Sequence, residues 1–373
     1  MALNPLDVER LREALALAET SFGLTEPNPR VGCVIGNAQG QVFGRGATQA
    51  AGQAHSEVMA LRDAAGHELR GTTAWVSLEP CAHQGRTPPC CDALIAAGLA
   101  RVVVAVGDPV EGVNGAGITR LRAAGIEVLC ADGELASAAR DINIGFFSRV
   151  ERGRPWVRLK AAASLDGMTA LANGQSQWIS SEASRRDGHA WRRRASAILT
   201  GIGTVLADDP RLDVRWVPTA HQPIKVVLDS QFRLPPGAAV FASTAPVWVV
   251  GALPLAAAPI ALAQSDAQLM SLPADDGRID LALLLRSLAA QGINEVHVEA
   301  GATLNAALMR AGLVDELLLY LAPCLLGPGR PIFQWPGLES LDQATRLEWK
   351  EVTTLGPDLR IRALTKPPSH RAR

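Results

Sequence analysis

Two successive α/β domains are what this sequence predicts, and three observations carry the prediction. The chain has 373 residues, more than one hydrophobic core usually organises. Helix-like and strand-like segments alternate along nearly all of it, the pattern of a largely parallel or mixed sheet covered on both faces. A polar stretch with Gly and Pro, Glu151-Arg-Gly-Arg-Pro155, stands directly before a fresh strand and separates residues 1–150 from residues 151–373. With 48% hydrophobic and 20% charged residues, the chain has the apolar surface for full cores.

Leu6 to Phe22 has apolar residues at helical spacing and opens the first domain as a helix. Val31 to Ile35 and Gln41 to Gly46 read as paired strands, and His55 to Ala65 returns to helix. A short strand at Thr73 to Leu78, a helix at Cys90 to Ala97 and the strongly apolar strand Arg101 to Gly107 follow. Gly115 to Ala124, Ile126 to Cys130 and Glu134 to Phe147 repeat helix, strand and helix. Past the linker, strands are predicted at Trp156 to Ala163, Ala197 to Thr200, Ile224 to Leu228, Val247 to Val250, Glu295 to Glu299 and Glu316 to Leu321, with two more near Leu347 to Thr353 and Leu359 to Ala363. Helices are predicted at Ser181 to Arg194, Asp280 to Gln291 and Ala302 to Ala311, the last ended by Gly312.

Charge narrows the possible partners. Up to Val150 there are twelve arginines and no lysine against sixteen acids, and the second half is basic by only three charges. Neither half has the basic surface of a duplex nucleic-acid binder. The segment from Arg233 to Asp266 is uncharged between its ends, but five prolines interrupt it, whereas a spanning helix needs about 20 continuous apolar residues. It reads as a buried strand followed by a loop. Met1 to Arg10 holds Asp7 and Glu9 and no apolar core of a secretory signal, so a cytoplasmic location is expected. Of six cysteines, three crowd between Cys81 and Cys91, which in a cytosolic chain points to metal or catalysis rather than to disulfides.

The chemistry is most legible in the first domain. His55-Ser-Glu57 opens a helix, and Glu79-Pro-Cys81 through Cys90 lies on a strand-to-helix turn. One imidazole and two thiolates, from His55, Cys81 and Cys90, leave the fourth tetrahedral position of Zn²⁺ open for water. Zinc lowers the pKa of such a water to about 7, and Glu57, which is not a ligand, is placed to shuttle its proton to a departing amine. The pattern matches the signature of zinc-dependent nucleobase deaminases, here with eight residues between the cysteines where that signature has two. A closed structural site would need Cys91 or His83 as a fourth ligand. Adjacent Cys90 and Cys91 diverge, which disfavours it.

The second domain is less explicit. Glu299-Ala-Gly-Ala-Thr303 follows a strand and opens a helix, so backbone N–H groups near Gly301 to Leu304 could receive a phosphate. Thr200-Gly-Ile-Gly-Thr204 also follows a strand, and its glycines would admit a cofactor close to the backbone. Neither is the full dinucleotide fingerprint, and each also reads as an ordinary strand-to-helix turn.

The cysteine spacing brings a family into view. Leu78-Glu-Pro-Cys-Ala-His-Gln-Gly-Arg-Thr-Pro-Pro-Cys-Cys-Asp92 closely resembles the bifunctional riboflavin-biosynthesis deaminase/reductase family, as do Pro27-Asn-Pro-Arg-Val-Gly32 and Asp108-Pro109. In the second domain Lys160, Ser164-Leu-Asp-Gly167, Ser176-Gln-Trp-Ile179, Thr204-Val-Leu-Ala-Asp-Asp-Pro210 and Val298-Glu-Ala-Gly301 resemble it too, so the likeness covers essentially the whole chain. It implies a cytidine-deaminase-like three-layer domain followed by a dihydrofolate-reductase-like α/β domain.

The same resemblance implies Zn²⁺ on His55, Cys81 and Cys90, Glu57 as proton shuttle, and Asn28 and His83 against the pyrimidine. It implies NADPH along Ala162, Trp178, Thr204, Asp208, Ser230 and the turn Gly301, Ala302, Thr303 and Leu304. Ser176, Arg192, Leu212, Arg215 and Glu299 would hold the ribosylamino phosphate, the arginines as planar forks for phosphate. Lys160 and Asp166 resemble family positions near the substrate without a defined role. The reactions implied are hydrolytic deamination of a diaminopyrimidinone ribosylamino phosphate and reduction of its ribosyl group to ribityl. The partners implied are small phosphorylated pyrimidines, with no nucleic acid and no membrane, and a second copy of the chain joined as a dimer through the second domain. This sequence departs from the family pattern at Gly46-Ala-Thr48, at Val110 and at Ser56. A nucleic-acid deaminase with an appended binding domain is the competing reading, and the acidic, lysine-free first half opposes it.

Overall fold

The computed structural model describes residues 3–85, 88–111 and 113–365. By backbone proximity the chain divides into two compact units, Met1–Gly153 and Arg154–Arg373.

The first unit opens with α1 (Pro5–Thr20), whose start is fixed locally. The Asn4 side chain accepts from the Asp7 N–H (2.9 Å), Asp7 accepts from the Asn4 N–H (3.1 Å), and Pro5 occupies the first turn, where a missing N–H costs nothing. Asp7 is fully buried and also accepts from Trp75 Nε1 (2.9 Å) and from both Nη atoms of Arg101 (2.6 and 2.7 Å). Burial would raise its pKa, but those partners win and hold it below the ordinary value. Next in the chain come β1 (Gly32–Gly36), β2 (Val42–Ala47), α2 (Ser56–Asp63), β3 (Thr73–Val76), α3 (Cys90–Ala96), β4 (Arg101–Val104), α4 (Ala116–Ala123), β5 (Glu127–Cys130), α5 (Gly133–Ile142) and α6 (Ile144–Arg152).

The five strands form one sheet in the order β2-β1-β3-β4-β5, with β1 antiparallel to both neighbours and β3, β4 and β5 parallel. Strand alternation divides the core: Val34, Trp75 and Val103 pack with Leu11 and Leu135 on one face, while Ile35, Val76 and Val104 pack with Leu94 and Leu121 on the other. This gives three layers. The expected helix from Glu134 to Phe147 is two, because the Asn143 side chain turns to the Arg30 backbone, accepting from its N–H and donating to its carbonyl at 2.8 Å each. The last helix runs on through Glu151 and Arg152, and the chain leaves it at Gly153 in the left-handed conformation (φ 65°).

The second unit contains β6 (Trp156–Ser164), β7 (Met168–Leu171), α7 (Glu182–Arg194), β8 (Ala197–Gly201), α8 (Ile202–Asp208), β9 (Ile224–Leu228), β10 (Val247–Gly251), α9 (Ile260–Ala263), β11 (Ala267–Ser271), α10 (Leu281–Ala290), β12 (Glu295–Val298), α11 (Ala302–Arg310), β13 (Glu316–Ala322), β14 (Gly329–Pro331), β15 (Leu347–Leu355) and β16 (Asp358–Thr365). Nine strands make one sheet in the order β11-β10-β9-β8-β12-β6-β13-β16-β15, parallel from β11 to β13 and antiparallel from there. The elements beyond those expected, β7, α8, α9, β11 and β14, are short, at three to seven residues. The uncharged segment does hold a fully buried strand, β10. No helix among the described residues is long and apolar enough to cross a membrane.

An ionic cluster joins the middle strands of this sheet. Arg158 on β6 is fully buried and donates to Glu295 on β12 (2.9 Å) and Glu316 on β13 (3.0 Å). Arg194 and Arg362 bond the same two carboxylates at 2.9 and 2.6 Å, and the Trp191 ring covers Arg158 and Arg362. Burial alone would push Glu316 up, yet the Arg158 and Arg362 guanidinium groups bring it down to about 2. Removing one member of such a set strands a buried charge at a cost of about 3–5 kcal/mol.

Glycines decide how closely the helices of the first unit approach its sheet. A Cβ on Gly46 would lie 2.1 Å from the Ser56 carbonyl oxygen and 2.4 Å from the Ala60 nitrogen, both backbone atoms of α2. Gly46→Ala therefore pushes α2 away from β2, and overpacking of this kind costs about 1–3 kcal/mol. Chemical denaturation of the variant should show the first unit unfolding earlier; an unchanged midpoint would refute the close-packing account.

Candidate functional site

His55 is the N-cap residue of α2, and its side chain makes no capping hydrogen bond, which leaves the imidazole free to turn toward the neighbouring turn. Cys81 lies in the turn beyond β3, and Cys90 is the first residue of α3. His55 Nδ1 is 3.3 Å from Cys90 Sγ and 3.7 Å from Cys81 Sγ, and the three donor atoms all lie within 4.8 Å of one another. The Cys90 N–H points at Cys81 Sγ at 3.3 Å. One nitrogen and two sulfurs at that separation fit a tetrahedral zinc ion with one position left over. Cys81 is held well below the ordinary thiol value, first by the Cys90 thiol hydrogen-bonded to it, while that same contact and burial push Cys90 up, so Cys81 is the thiol that ionises first.

Glu57, two residues past His55, is buried, and its Oε2 accepts from Ser56 Oγ at 2.9 Å. Burial first, and then the nearby Cys81 charge, raise its pKa. A cavity of about 400 Å³ opens on this group and is lined by Asn28, Thr48, His55, Glu57, Cys81 and His83, among others. Both residues expected at the heterocycle, Asn28 and His83, therefore face the same space as the donor set, and so do the departures Thr48 and Val110.

Glu79 was not singled out from the sequence, yet it shapes this cavity. Its carboxylate accepts from the N–H groups of Asp108 (3.2 Å), Gly115 (3.0 Å) and Ile118 (3.2 Å), which ties the 108–118 segment to the strand end that carries Cys81. A Cβ on Gly117 would sit 2.0 Å from the Pro80 carbonyl oxygen, so the two segments touch backbone to backbone. The available signal was its place in Leu78-Glu-Pro-Cys81.

In the second unit a cavity of about 740 Å³ runs between the two glycine turns. Ala162, Thr204, Asp208, Gly301, Ala302, Thr303 and Leu304 all line it. No side chain caps α11 at Gly301, nothing lies within 4 Å of where a Cβ on Gly203 would be, and the buried Asn305 Oδ1, on the same wall, has no hydrogen-bond partner. Open backbone and an unmatched acceptor at a helix start fit a nucleotide cofactor. The glycine turn at Thr200 is itself the start of a helix, α8, with Gly201 as its N-cap. Ser230 lines neither this cavity nor its neighbour.

That neighbour, of about 360 Å³, shares Lys160, Ala162, Ser176, Arg192, Leu212 and Glu299 with the first and adds Trp178 and Arg215. Trp178, expected beside the cofactor, thus lies on the side of the substrate residues. The arginines expected as open phosphate forks are differently engaged. Arg192 grips Glu299 through Nε (2.5 Å) and Nη2 (2.8 Å) and gives Nη1 to the Asp213 carbonyl (3.0 Å), while Arg215 pairs with the Asp213 carboxylate. Burial opposes ionisation of Glu299, but Arg192 and Lys160 hold it well below the usual range. His189 is lowered to about 4, first by burial and then by Arg192 and Arg215, so it is neutral at pH 7. Asp166 accepts from Ser164 Oγ and from the Leu326 and Gly327 N–H groups, fixing a turn outside both cavities.

A three-layer unit carrying an imidazole, two thiols and a buried carboxylate, joined to a unit with a nucleotide-shaped cleft, defines a deaminase–reductase. Residues 6–106 match the family model of the cytidine and deoxycytidylate deaminase zinc-binding region, and residues 155–361 that of the RibD C-terminal domain. The chain is 44% identical over 369 residues to riboflavin biosynthesis protein RibD of Escherichia coli, covering 94% of this chain and 96% of that one. RibD of Aquifex aeolicus is 38% identical over 360 residues, covering 96% and 98%. Among solved structures it is similar to Acinetobacter baumannii RibD, form 1, with TM-score 0.87 at 40% identity over 97% of this chain and 99% of that one. It is also similar to a diaminohydroxyphosphoribosylaminopyrimidine deaminase/5-amino-6-(5-phosphoribosylamino)uracil reductase of Thermotoga maritima, with TM-score 0.86 at 30% identity and the same coverage. The chain belongs to the RibD family of riboflavin biosynthesis proteins. It is a bifunctional enzyme, a zinc-dependent deaminase and an NADPH-dependent reductase acting on phosphorylated pyrimidines.

Proton competition at the donor set follows from these positions. His55 is raised above its ordinary value, first by its hydrogen bond with Cys81, with burial opposing and Glu57 assisting. Zinc needs that nitrogen unprotonated, so affinity falls about tenfold or more per pH unit below the His55 pKa. Elemental analysis after dialysis should find one zinc per chain at pH 7.5, progressive loss toward pH 5, and none in Cys90→Ser at either pH. Stoichiometric zinc in that variant would refute the assignment.

Proposed function

We propose that residues 1–150 remove the exocyclic amine of 2,5-diamino-6-ribosylamino-4(3H)-pyrimidinone 5′-phosphate by hydrolysis. Residues 151–373 then reduce the ribosyl group of 5-amino-6-(5-phosphoribosylamino)uracil to ribityl. The observation that carries this is the buried Glu57 beside His55, Cys81 and Cys90 in a closed-in cavity, with a nucleotide cleft in the second unit.

His55, Cys81 and Cys90 would hold zinc, which would supply an acidified water there. Glu57 would accept a proton from the water that attacks the amine-bearing carbon and return it to the departing amine, which leaves as ammonia. Burial places its pKa above the ordinary carboxylate value, closer to where one group serves as both base and acid. Asn28 and His83, on the same cavity wall, hold the pyrimidine edge.

NADPH supplies the hydride for the second reaction. Ala162, Thr204, Asp208 and the turn Gly301, Ala302, Thr303 and Leu304 hold it. Ser176, Arg192, Leu212, Arg215 and Glu299 position the ribosylamino phosphate, and Lys160, Arg192 and Glu299 stand where the two cavities share a wall. Position and fixed charge are what the protein contributes there. We further propose a cytoplasmic homodimer through the second unit, a reading supported by family likeness.

With zinc-replete protein, ammonia release and NADPH oxidation are to be followed separately on the two substrates. Glu57→Gln should lower ammonia release by about 10²–10⁴-fold and leave NADPH oxidation intact. Wild-type protein that releases no ammonia, or a variant that loses both activities together, would overturn the division of labour. Sedimentation equilibrium should give twice the chain mass, and a monomer at assay concentration would reject the dimer.

A further inference from the structure

Among the arginines of the smaller cavity, Arg185 stands apart. Arg192 is taken by Glu299, and Arg211 and Arg215 both pair with Asp213. Arg185, on α7, has no carboxylate within ion-pair distance among the described residues, and its one hydrogen bond runs from Nη1 to the Ser180 carbonyl (2.6 Å). Its Nε is buried without a partner. The guanidinium is held flat against aromatic surface, 4.4 Å from the Trp178 ring centre and 5.8 Å from that of Trp216.

Formal charge points the same way. Lys160, Arg185, Arg192, Arg211 and Arg215 line the cavity against Asp208 and Glu299, with Asp213 paired behind them, leaving a surplus of two positive charges. A phosphate monoester carries about −1.5 to −2 at pH 7 and matches that surplus. The hydride-transfer point lies at the wall shared with the cofactor cavity, whereas Arg185, Trp216 and Arg215 line only the smaller one. A substrate reacting at its ribose carbon therefore extends one end toward them. Arg185 already covers one Trp178 face, and a cation so placed receives an anion rather than a neutral ring.

We propose that Arg185 binds the 5′-phosphate of the reductase substrate and makes the second unit selective for phosphorylated over dephosphorylated ribosylaminopyrimidine. This rests on the reading of that unit as a reductase of a ribosylamino phosphate. The indole rings of Trp178 and Trp216 hold the Arg185 guanidinium in one orientation, so little freedom is lost when the phosphate arrives.

The test compares wild type, Arg185→Met and Arg185→Lys on 5-amino-6-(5-phosphoribosylamino)uracil and on the same compound without its phosphate. A charge-assisted hydrogen bond predicts that Arg185→Met lowers kcat/KM for the phosphorylated substrate by about 10- to 100-fold, through KM, and leaves the dephosphorylated one unchanged. Arg185→Lys recovers part of the loss, and KM for NADPH stays put. Calorimetric titration with inorganic phosphate should show the same weakening in Arg185→Met. Equal losses on both substrates, or phosphate binding unchanged in Arg185→Met, overturn the proposal and leave Arg185 as a support for the Ser180 turn. Absence of any NADPH oxidation by wild type would instead sink the reductase reading, while the phosphate titration would still decide whether Arg185 binds the anion.

Discussion

Backbone lies on backbone where β2 meets α2, because Gly44 and Gly46 leave no room for a side chain between them. That close approach sets the height of the α2 N-terminus above the sheet, and with it the positions of His55 and Glu57. A second contact of the same kind, Gly117 against the Pro80 carbonyl, fixes the turn that carries Cys81. The donor atoms come from three separate places in the chain, so their separation depends on these contacts rather than on any local motif. A displacement of 1 Å would exceed the tolerance of zinc–ligand distances, which are fixed to about ±0.2 Å. The start of α3 contributes as well, since the Cys90 N–H points at the Cys81 sulfur and favours its ionised form.

The second unit is built on a different balance. Its sheet buries Arg158 with Glu295 and Glu316, and its cleft pairs Arg192 with Glu299, so charge inside it is compensated by charge. Such clusters contribute little net stability, because desolvation offsets most of the attraction, but they fix geometry. β6, β12 and β13 are held in one register by Arg158, and the middle of β6 and the residue just past β12 carry Lys160 and Glu299 into the cleft. The ion pairs in the sheet and those in the site are thus parts of one arrangement of strands.

Much of this could be read before any coordinates. The domain order, most long elements and the grouping of His55, Cys81 and Cys90 were legible because each rests on a short-range signal: strand and helix periodicity, or donor residues beside helix starts with a diagnostic spacing. What escaped depends on partners distant in sequence. Asn143 breaks a continuous helical pattern by bonding Arg30, and Glu79 acts through three N–H groups about thirty to forty residues away. Arg192 of the cleft was legible as a residue but not as an occupied fork, since Glu299 reaches it only through folding. Short strands such as β14, at three residues, carry too few positions for alternation to register.

The two sites also differ in what their charges must do during reaction. His55, Cys81 and Cys90 would meet a zinc dication as a neutral imidazole and two thiolates, with no net charge left over, and the buried Glu57 would then be the group whose protonation changes as water attacks and ammonia leaves. Its surroundings favour that change, because burial raises its pKa above the ordinary carboxylate value. Hydride transfer asks for the reverse. Glu299 is kept ionised by Arg192 and Lys160, and His189 is kept neutral, so these two groups of the smaller cavity hold their charge states at pH 7. A site that moves protons needs one poised group, and a site that moves a hydride needs fixed ones, which is how two unlike reactions on one substrate skeleton come to occupy two unlike electrostatic environments.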